Sequence, residues 1–481
     1  MDLITLDFET FYNKEYSLKK LTTEEYVRDP RFEVLGVAIK VNNGETEWAS
    51  GTQEQLKTFL QTFDWDKSMV LAHNTMFDGA ILSWIFDIKP RAYTDTVCIA
   101  RAVDGVEASV SLKALSERYG VGEKGDEIQN TLDKHRQDFT DEELERLGDY
   151  AVNDVDLTYD LFTIMAKGFP KKELKLIDLS LRMFVEPVLD LDLDLLEDHL
   201  SQTRQRKEEL LMDARASKED LMSNDKFAKL LAAYDVEPPK KLSPTTGKET
   251  WAFAKSDEEF KRLITHQDER VQSLVAARLG NKSTLEETRT QRFIDIAKRG
   301  LLPVPVRYYA AHTGRWGGDD KINLQNLPSR GTNANMLKCG IIAPHGYSII
   351  DADSAQIEAR VLAWLAEQDD LTEAFAKGED VYKKMASRIY GVAESDVTKD
   401  QRFVGKTTIL GAGYGMGAQK FQDQLKTFGF DMELHEARRV IKIYRETNHK
   451  INKLWRDAQL FLKDGNTFGL YGVLFVEDGK I

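Results

Sequence analysis

Short apolar runs open the chain. Residues 3–8, 32–41 and 69–73 read as strands, the second ending at the turn-forming Asn42-Asn43-Gly44. Residues 141–166 instead carry a helical pattern. Thr140 is placed to cap that helix, and Glu143 three residues on gives a capping-box spacing. Gly168-Phe169-Pro170 ends it. Strands mixed with helices predict an α/β domain over residues 1–167, with a boundary at the Gly-Phe-Pro break.

Residues 171–300 are charged and mainly helical in pattern, interrupted by a Pro-, Ser- and Thr-containing loop at 238–250. Gly247-Lys248 in that loop is not a phosphate loop, because Leu242 and Glu249 stand where such a loop needs Gly and Ser or Thr. Gly, Asn and Tyr become frequent after Leu301. Residues 347–351 read as a buried strand, helices dominate from about 380 to 463, and residues 470–476 look strand-like.

Composition narrows the class. The 481 residues are 42% apolar and 30% charged, which fits about three globular domains and excludes a mainly disordered chain. No apolar stretch approaches membrane-spanning length, and the acidic N-terminus lacks a secretory pattern. Two cysteines are too few for a disulfide framework, so a reducing, cytoplasmic setting is expected. The net charge of −14 lies almost wholly in residues 1–165, which hold 17 basic and 32 acidic residues. Such asymmetry points to separate domains with separate tasks.

Three acidic pieces lie in that first part. Asp7 and Glu9 are two apart on a strand and share a face. Asp78 closes His73-Asn74-Thr75-Met76-Phe77-Asp78. Tyr150 and Asp154 are four apart on a helix. Each piece alone is also compatible with a solvated face, an N-cap or a surface contact. Together they supply what a two-metal phosphodiesterase needs: several carboxylates for hard cations about 4 Å apart, and a phenol to orient water. The order D-F-E-T, H-N-x-x-F-D, Y-x-x-x-D resembles the proofreading 3′→5′ exonucleases of the DEDD type with the tyrosine variant. That resemblance implies a ribonuclease H-like fold, with Asp7, Glu9, Asp78 and Asp154 as metal ligands and Tyr150 positioning the water.

A second constellation follows. The apolar run at 347–351 leads to Asp353, Gln356, Glu358 and Arg360, with a helix N-cap as the plain alternative for Asp353. Arg402, Lys406, Leu410 and Tyr414 recur every four residues and form a slowly turning helical stripe. Its cations can grip a triphosphate; an amphipathic helix with solvated Arg and Lys is the alternative. The segment 353–360 is similar to motif A of the family A DNA polymerases, and 402–415 to their motif B. His312-Thr313-Gly314-Arg315 and Asn323-Leu324-Gln325-Asn326-Leu327-Pro328 resemble the family's primer-template segment. The resemblance covers essentially the whole chain, and the 243–255 loop looks like phage-type members.

What this resemblance implies is specific. Asp353 is a catalytic metal ligand. Arg402 and Lys406 contact the triphosphate, and Lys406 can protonate the leaving pyrophosphate. Gln356 lies near the triphosphate. Tyr414 stacks by the template base, and Glu358 contacts it and excludes a ribose 2′-hydroxyl. Arg315, Gln325 and Asn326 touch primer-template. Mg²⁺ or Mn²⁺, two per active site, primer-template DNA and dNTPs are the implied cofactors and partners; no membrane is. Ser354 and Ala355 depart from the family's usual Tyr and Ser. Leu410 stands where Phe or Tyr is usual, which bears on sugar selection. Residues 437–456 add Arg438, Arg439, Lys442, Arg445, Lys450, Lys453 and Arg456 with Tyr444 and Trp455, a candidate single-strand surface or a solvated face with a buried Trp.

The expected architecture is a ribonuclease H-like exonuclease (1–167), a helical thumb (168–305), a partial palm with motif A (306–380), fingers with motif B (381–465) and a return toward the palm (466–481). The family's H-D-E, motif C, is absent from the sequence. The expectation is therefore a polymerase part, split or truncated, with motif C on a second polypeptide, or a chain active only as an exonuclease joined to a DNA-binding remnant.

Overall fold

The computed structural model describes residues 1–125, 131–243, 246–254, 257–327 and 335–464. The chain divides into two compact units, Met1–Ile349 and Ile350–Ile481.

The first unit is built on a five-stranded mixed sheet. Its strands are β1 (Asp2–Thr10), β2 (Val34–Val41), β3 (Thr46–Ala49), β4 (Ser68–Ala72) and β5 (Ala92–Asp95), ordered β3-β2-β1-β4-β5. The 42–45 turn returns the chain so that β3 pairs antiparallel with β2; β2 also pairs antiparallel with β1, and β4 and β5 run parallel to β1. The three strands expected from apolar runs are present. β3 and β5 were not, because Thr-Glu-Trp-Ala and Ala-Tyr-Thr-Asp are too short and polar to stand out.

Helix α1 (Thr23–Val27) precedes β2, α2 (Thr75–Ala80) follows β4, and α3 (Asp141–Met165) crosses β1, β2 and β3. Thr140 and Glu143 form the expected capping box on α3. On the sheet, Ala38 lies opposite Asp7 and packs on Ala151 and Val155 of α3. Residues directly opposite on neighbouring strands share a face. Asp7 therefore belongs to the face that α3 covers. A Cβ at Gly36 on β2 would come within 2.2 Å of the Trp48 ring, and one at Gly148 on α3 within 2.5 Å. Trp48 fits between helix and sheet only because both positions lack a side chain.

Beyond Pro170 the unit is helical, as expected: α4 (Lys171–Val185), α5 (Leu193–Ala214), α6 (Glu269–Lys282) and α7 (Leu285–Arg299). A two-stranded ribbon, Lys240–Leu242 with Glu249–Trp251, stands within the expected loop. One buried ion cluster ties α7 to α1. Glu24 is fully buried and accepts from Arg299 through Nε and Nη2, both at 2.8 Å, with Arg292 at 3.2 Å and Arg28 at 3.4 Å. Asp320 accepts from the Thr23 and Glu24 N–H groups at 2.6 and 3.1 Å, so the start of α1 is held from the other side.

The second unit is helical where described. It contains α8 (Ile357–Leu365), α9 (Val381–Tyr390), α10 (Lys399–Gly413), α11 (Leu434–Thr447) and α12 (His449–Asp464) around a core with Ala363, Phe375, Met385, Val404, Phe421 and Val440. Gly405 decides one crossing: a Cβ there would meet the Tyr382 carbonyl oxygen at 2.3 Å and the Ala386 nitrogen at 3.0 Å. Its role is close packing of α9 on α10 inside the protein.

One expected element is not formed. Residues 347–351 are neither strand nor buried; Tyr347 is 77% and Ile350 88% exposed. Among the described residues nothing pairs with this segment, and an isolated strand leaves its ladder groups without partners. The strand-like run 470–476 lies outside the described residues.

Candidate active sites

The first site is assembled from three elements. β1 carries Asp7 and Glu9. α2 starts after Asn74, whose φ of 84° turns the chain sharply at the end of β4. Asp95, at the end of β5, accepts from Thr75 N at 2.8 Å and fixes that start. Asp78 then lies inside α2 and does not cap it; its Oδ1 accepts from Phe8 N at 3.0 Å, between Asp7 and Glu9 on β1. α3 brings Tyr150 and Asp154 over the same sheet face. The four carboxylates and the tyrosine expected together are therefore together.

A cation joins them that the sequence did not mark. Lys124 Nζ lies 2.6 Å from Asp154 Oδ2, 5.1 Å from the centre of the Tyr150 ring, and hydrogen-bonds Tyr150. A single Lys in a glycine-containing loop has no periodicity to give it away. The other oxygen of this carboxylate, Asp154 Oδ1, is buried without a hydrogen-bond partner.

Electrostatics follow from burial. Desolvation, with the Asp154 charge second, pushes the Asp7 carboxyl up to about 7. Desolvation and then Asp7 and Asp154 push Glu9 up to about 8. Asp78 and Asp154 are also raised, chiefly by burial. Burial by itself would lower Lys124; its bonds to Asp154 and Tyr150 outweigh that and raise it. Burial raises the Tyr150 phenol to about 12.

Clustered carboxylates that oppose one another's ionisation, with one buried oxygen lacking a donor, are a donor set suited to a hard divalent cation. As placed, no three His, Cys, Asp or Glu side chains among the described residues stand ready to hold a metal, and Asp154 is engaged by Lys124. A cation bound at Asp154 would displace Lys124 or share the carboxylate with it through Oδ1.

The second site lies on the helices of the second unit. Gln356, with φ 58°, turns the chain into α8. Glu358 of α8, Leu410 of α10, Tyr414 just past it, and Trp455 of α12 line an apolar cavity of about 320 Å³. Trp455 Nε1 donates to the Gly413 carbonyl at 2.9 Å, which fixes one wall. Arg402 Nε donates to Asp380 Oδ2 at 2.7 Å, with its guanidinium 5.3 Å from the Tyr382 ring centre. The Tyr382 hydroxyl hydrogen-bonds the Gln356 side chain, linking the motif A and motif B segments. Lys406 stands one turn after Arg402 on α10. Asp353 is exposed on an irregular segment, not at the end of a buried strand as the sequence suggested. The paired strand needed to present it there is not formed among the described residues.

In the basic stretch 437–456, Tyr444 is buried, Arg439 donates to the Ile389 carbonyl, and Lys450 pairs with Asp369 at 2.7 Å. Part of this charge is thus used within the fold. Of the expected primer-template residues, Arg315, Gln325 and Asn326 are exposed on the first unit. Arg289 Nη1 donates to the Asn326 carbonyl at 3.2 Å and steadies the turn that presents the last two. Among the described residues, no helix is long and apolar enough to cross a membrane.

Sheet, carboxylates and helical unit define a mixed α/β chain with an exonuclease-like N-terminal sheet and a polymerase-type helical region. Residues 13–169 match the family model of 3′-5′ exonucleases, and residues 192–467 that of DNA polymerase family A. The chain belongs to DNA polymerase family A. It is 26% identical over 452 residues to DNA polymerase I of Pseudomonas aeruginosa, covering 86% of this chain and 47% of that one. It is 35% identical over 176 residues to DNA polymerase I of Deinococcus radiodurans, covering 37% of this chain and 18% of that one. The chain thus spans about half or less of the length of these relatives. The fold is similar to the POL domain of Pol1 from M. smegmatis, a structure in complex with DNA primer-template and dNTP. The TM-score is 0.67 at 20% identity, over 96% of this chain and 76% of that one. Polymerase and exonuclease domains of these families generally depend on divalent metal ions.

Proposed function

We propose that this chain takes part in template-directed DNA synthesis and removes misincorporated nucleotides from the 3′ end. The observation that carries the proposal is the cluster of half-buried Asp7, Glu9 and Tyr150 with buried Asp78 and Asp154, on a chain that also carries the Arg402–Tyr414 stripe. The substrates are primer-template DNA and dNTPs. Mg²⁺ or Mn²⁺, two per site, would be held by Asp7, Glu9, Asp78 and Asp154 in the nuclease and by Asp353 in the polymerase. Such ions neutralise charge on the attacking and leaving oxygens of phosphoryl transfer.

The chain's own residues do the rest. Tyr150 orients the attacking water. Arg402 and Lys406 bind and neutralise the triphosphate, and Lys406 delivers a proton to the leaving pyrophosphate. Gln356 lies at the triphosphate. Tyr414 packs by the nascent pair, and Glu358 beside it excludes a ribose 2′-hydroxyl. Leu410 offers that sugar a smaller, non-aromatic contact. Arg315, Gln325 and Asn326 hold primer-template.

A second polypeptide or further segment carrying motif C is the partner we infer for the polymerase centre. The exposure of Tyr347 and Ile350 next to Asp353 supports it, because an apolar run of this kind is suited to strand pairing. The bacteriophage setting rests on the likeness of the 243–255 loop, and the cytoplasmic one on cysteine usage.

A labelled primer-template with Mg²⁺ and dNTPs tests the proposal. Extension lost in Asp353→Ala and shortening lost in Asp7→Ala support both activities. Shortening without extension favours the second reading, an exonuclease joined to a DNA-binding remnant; the exposed Asp353 segment is what favours that reading. Neither reaction, with and without a motif C partner, overturns both.

A further inference from the structure

We propose that Asp380 is a positioning residue for the incoming nucleotide. It holds Arg402 so that the guanidinium meets the triphosphate of a deoxynucleoside triphosphate already oriented. This deepens the polymerase reading above and rests on it.

The two oxygens of Asp380 have separate tasks. Oδ1 accepts from the N–H groups of Tyr382 and Lys383, at 3.1 and 3.0 Å, and caps α9. Oδ2 accepts from Arg402 Nε at 2.7 Å. A carboxylate pinned by two backbone donors is a fixed anchor for the arginine. The helix that carries the arginine is fixed too, because Gly405, three residues on, lets α10 sit directly against the Tyr382 carbonyl. The Tyr382 ring lies beside the guanidinium plane at 5.3 Å.

The edge that Asp380 grips matters. It takes Nε, while the Nη fork is the part of an arginine that matches phosphate oxygens in bidentate fashion. The Arg402 side chain is 40% exposed, so without an anchor it would sample many rotamers and lose that freedom on binding. A partly exposed ion pair adds little to stability. Orientation is therefore its larger effect, and neither motif includes Asp380. The opposite effect is also physical: the carboxylate could compete with phosphate for Arg402. The two differ in sign, and measurement separates them.

Asp380→Asn is the decisive variant, because Asn caps a helix as well as Asp does and puts an uncharged amide donor where Oδ2 accepted from Arg402. The full chain is bound to primer-template in Ca²⁺, which slows chemistry, and titrated with the complementary dNTP. Asp380→Asn is expected to weaken dNTP binding about five- to tenfold, with primer-template affinity and Tm unchanged. Arg402→Ala should weaken it further, and the double variant should bind no more weakly than Arg402→Ala alone. Where extension is measurable, KM for dNTP rises and kcat holds. Unchanged or tighter dNTP binding in Asp380→Asn, or additive losses in the double variant, overturns the inference and leaves the polymerase reading standing. Absence of dNTP binding by the unaltered chain overturns that reading and this inference with it.

Discussion

The ammonium of Lys124 lies 2.6 Å from Asp154, inside a cluster of buried and half-buried carboxylates against the sheet. It opposes the upward push that burial exerts on the Asp154 carboxyl, and it must be displaced or shared when a cation binds Asp154. Lys124→Met removes it at nearly constant length. In the metal-free chain the uncompensated carboxylate should cost about 1–3 kcal/mol at pH 8, read by urea denaturation. Mn²⁺ binding, read by calorimetry, should tighten several-fold, because the ion no longer competes with an internal cation. Weaker Mn²⁺ binding would mean that Lys124 supports the ion-bound arrangement.

Asp7 and Glu9 set the pH dependence of the metal-free chain. Their values rise from 3.8 and 4.5 to about 7 and about 8. Between these limits the folded chain holds protons that the unfolded chain has released. The stabilisation is therefore complete at low pH and is lost as pH rises toward the folded values. In EDTA, Tm should fall from about pH 5 to about pH 8. Asp7→Asn with Glu9→Gln should flatten that slope, and Mg²⁺ should oppose the fall at the alkaline end. A Tm in EDTA that climbs over this interval in the unaltered chain, but not in the double variant, would refute the assignment.

Glu24 is the fully buried anion that Arg28, Arg292 and Arg299 share in the tie between α1 and α7, and Glu25 beside it also pairs with Arg292. Glu24→Gln keeps the shape and leaves three guanidinium groups crowded without it. Removing one partner from a buried ionic cluster costs roughly 3–5 kcal/mol. Equilibrium unfolding in urea measures this directly. Proteolysis should also cut within 23–27 sooner, since the same residues hold the start of α1.

Gly405→Ala tests the α9–α10 crossing. The added methyl would stand 2.3 Å from the Tyr382 carbonyl, so the helices must separate. A loss of about 1–3 kcal/mol is expected for overpacking of this kind. Gly415→Ala makes a contrast: nothing lies within 4 Å, and its φ of 73° makes backbone strain the only cost.

The sequence by itself determined the local pieces: the runs that became β1, β2 and β4, the capped α3, the helical body after Pro170 and the stripe along α10. Each rests on periodicity, a cap or a turn within a few residues, where the backbone's options are few. It also carried the residue types of both sites, because carboxylates two or four apart share a face in any strand or helix. Tertiary structure decided the rest. β3 and β5 are strands because β2 and β4 offer them hydrogen bonds. The segment 347–351, more apolar than either, is not a strand because nothing described offers it any. Lys124 and Asp380 could not be read at all. Their partners lie 30 and 22 residues away, and only packing of α3 under the sheet and of α9 on α10 brings the opposite charges together.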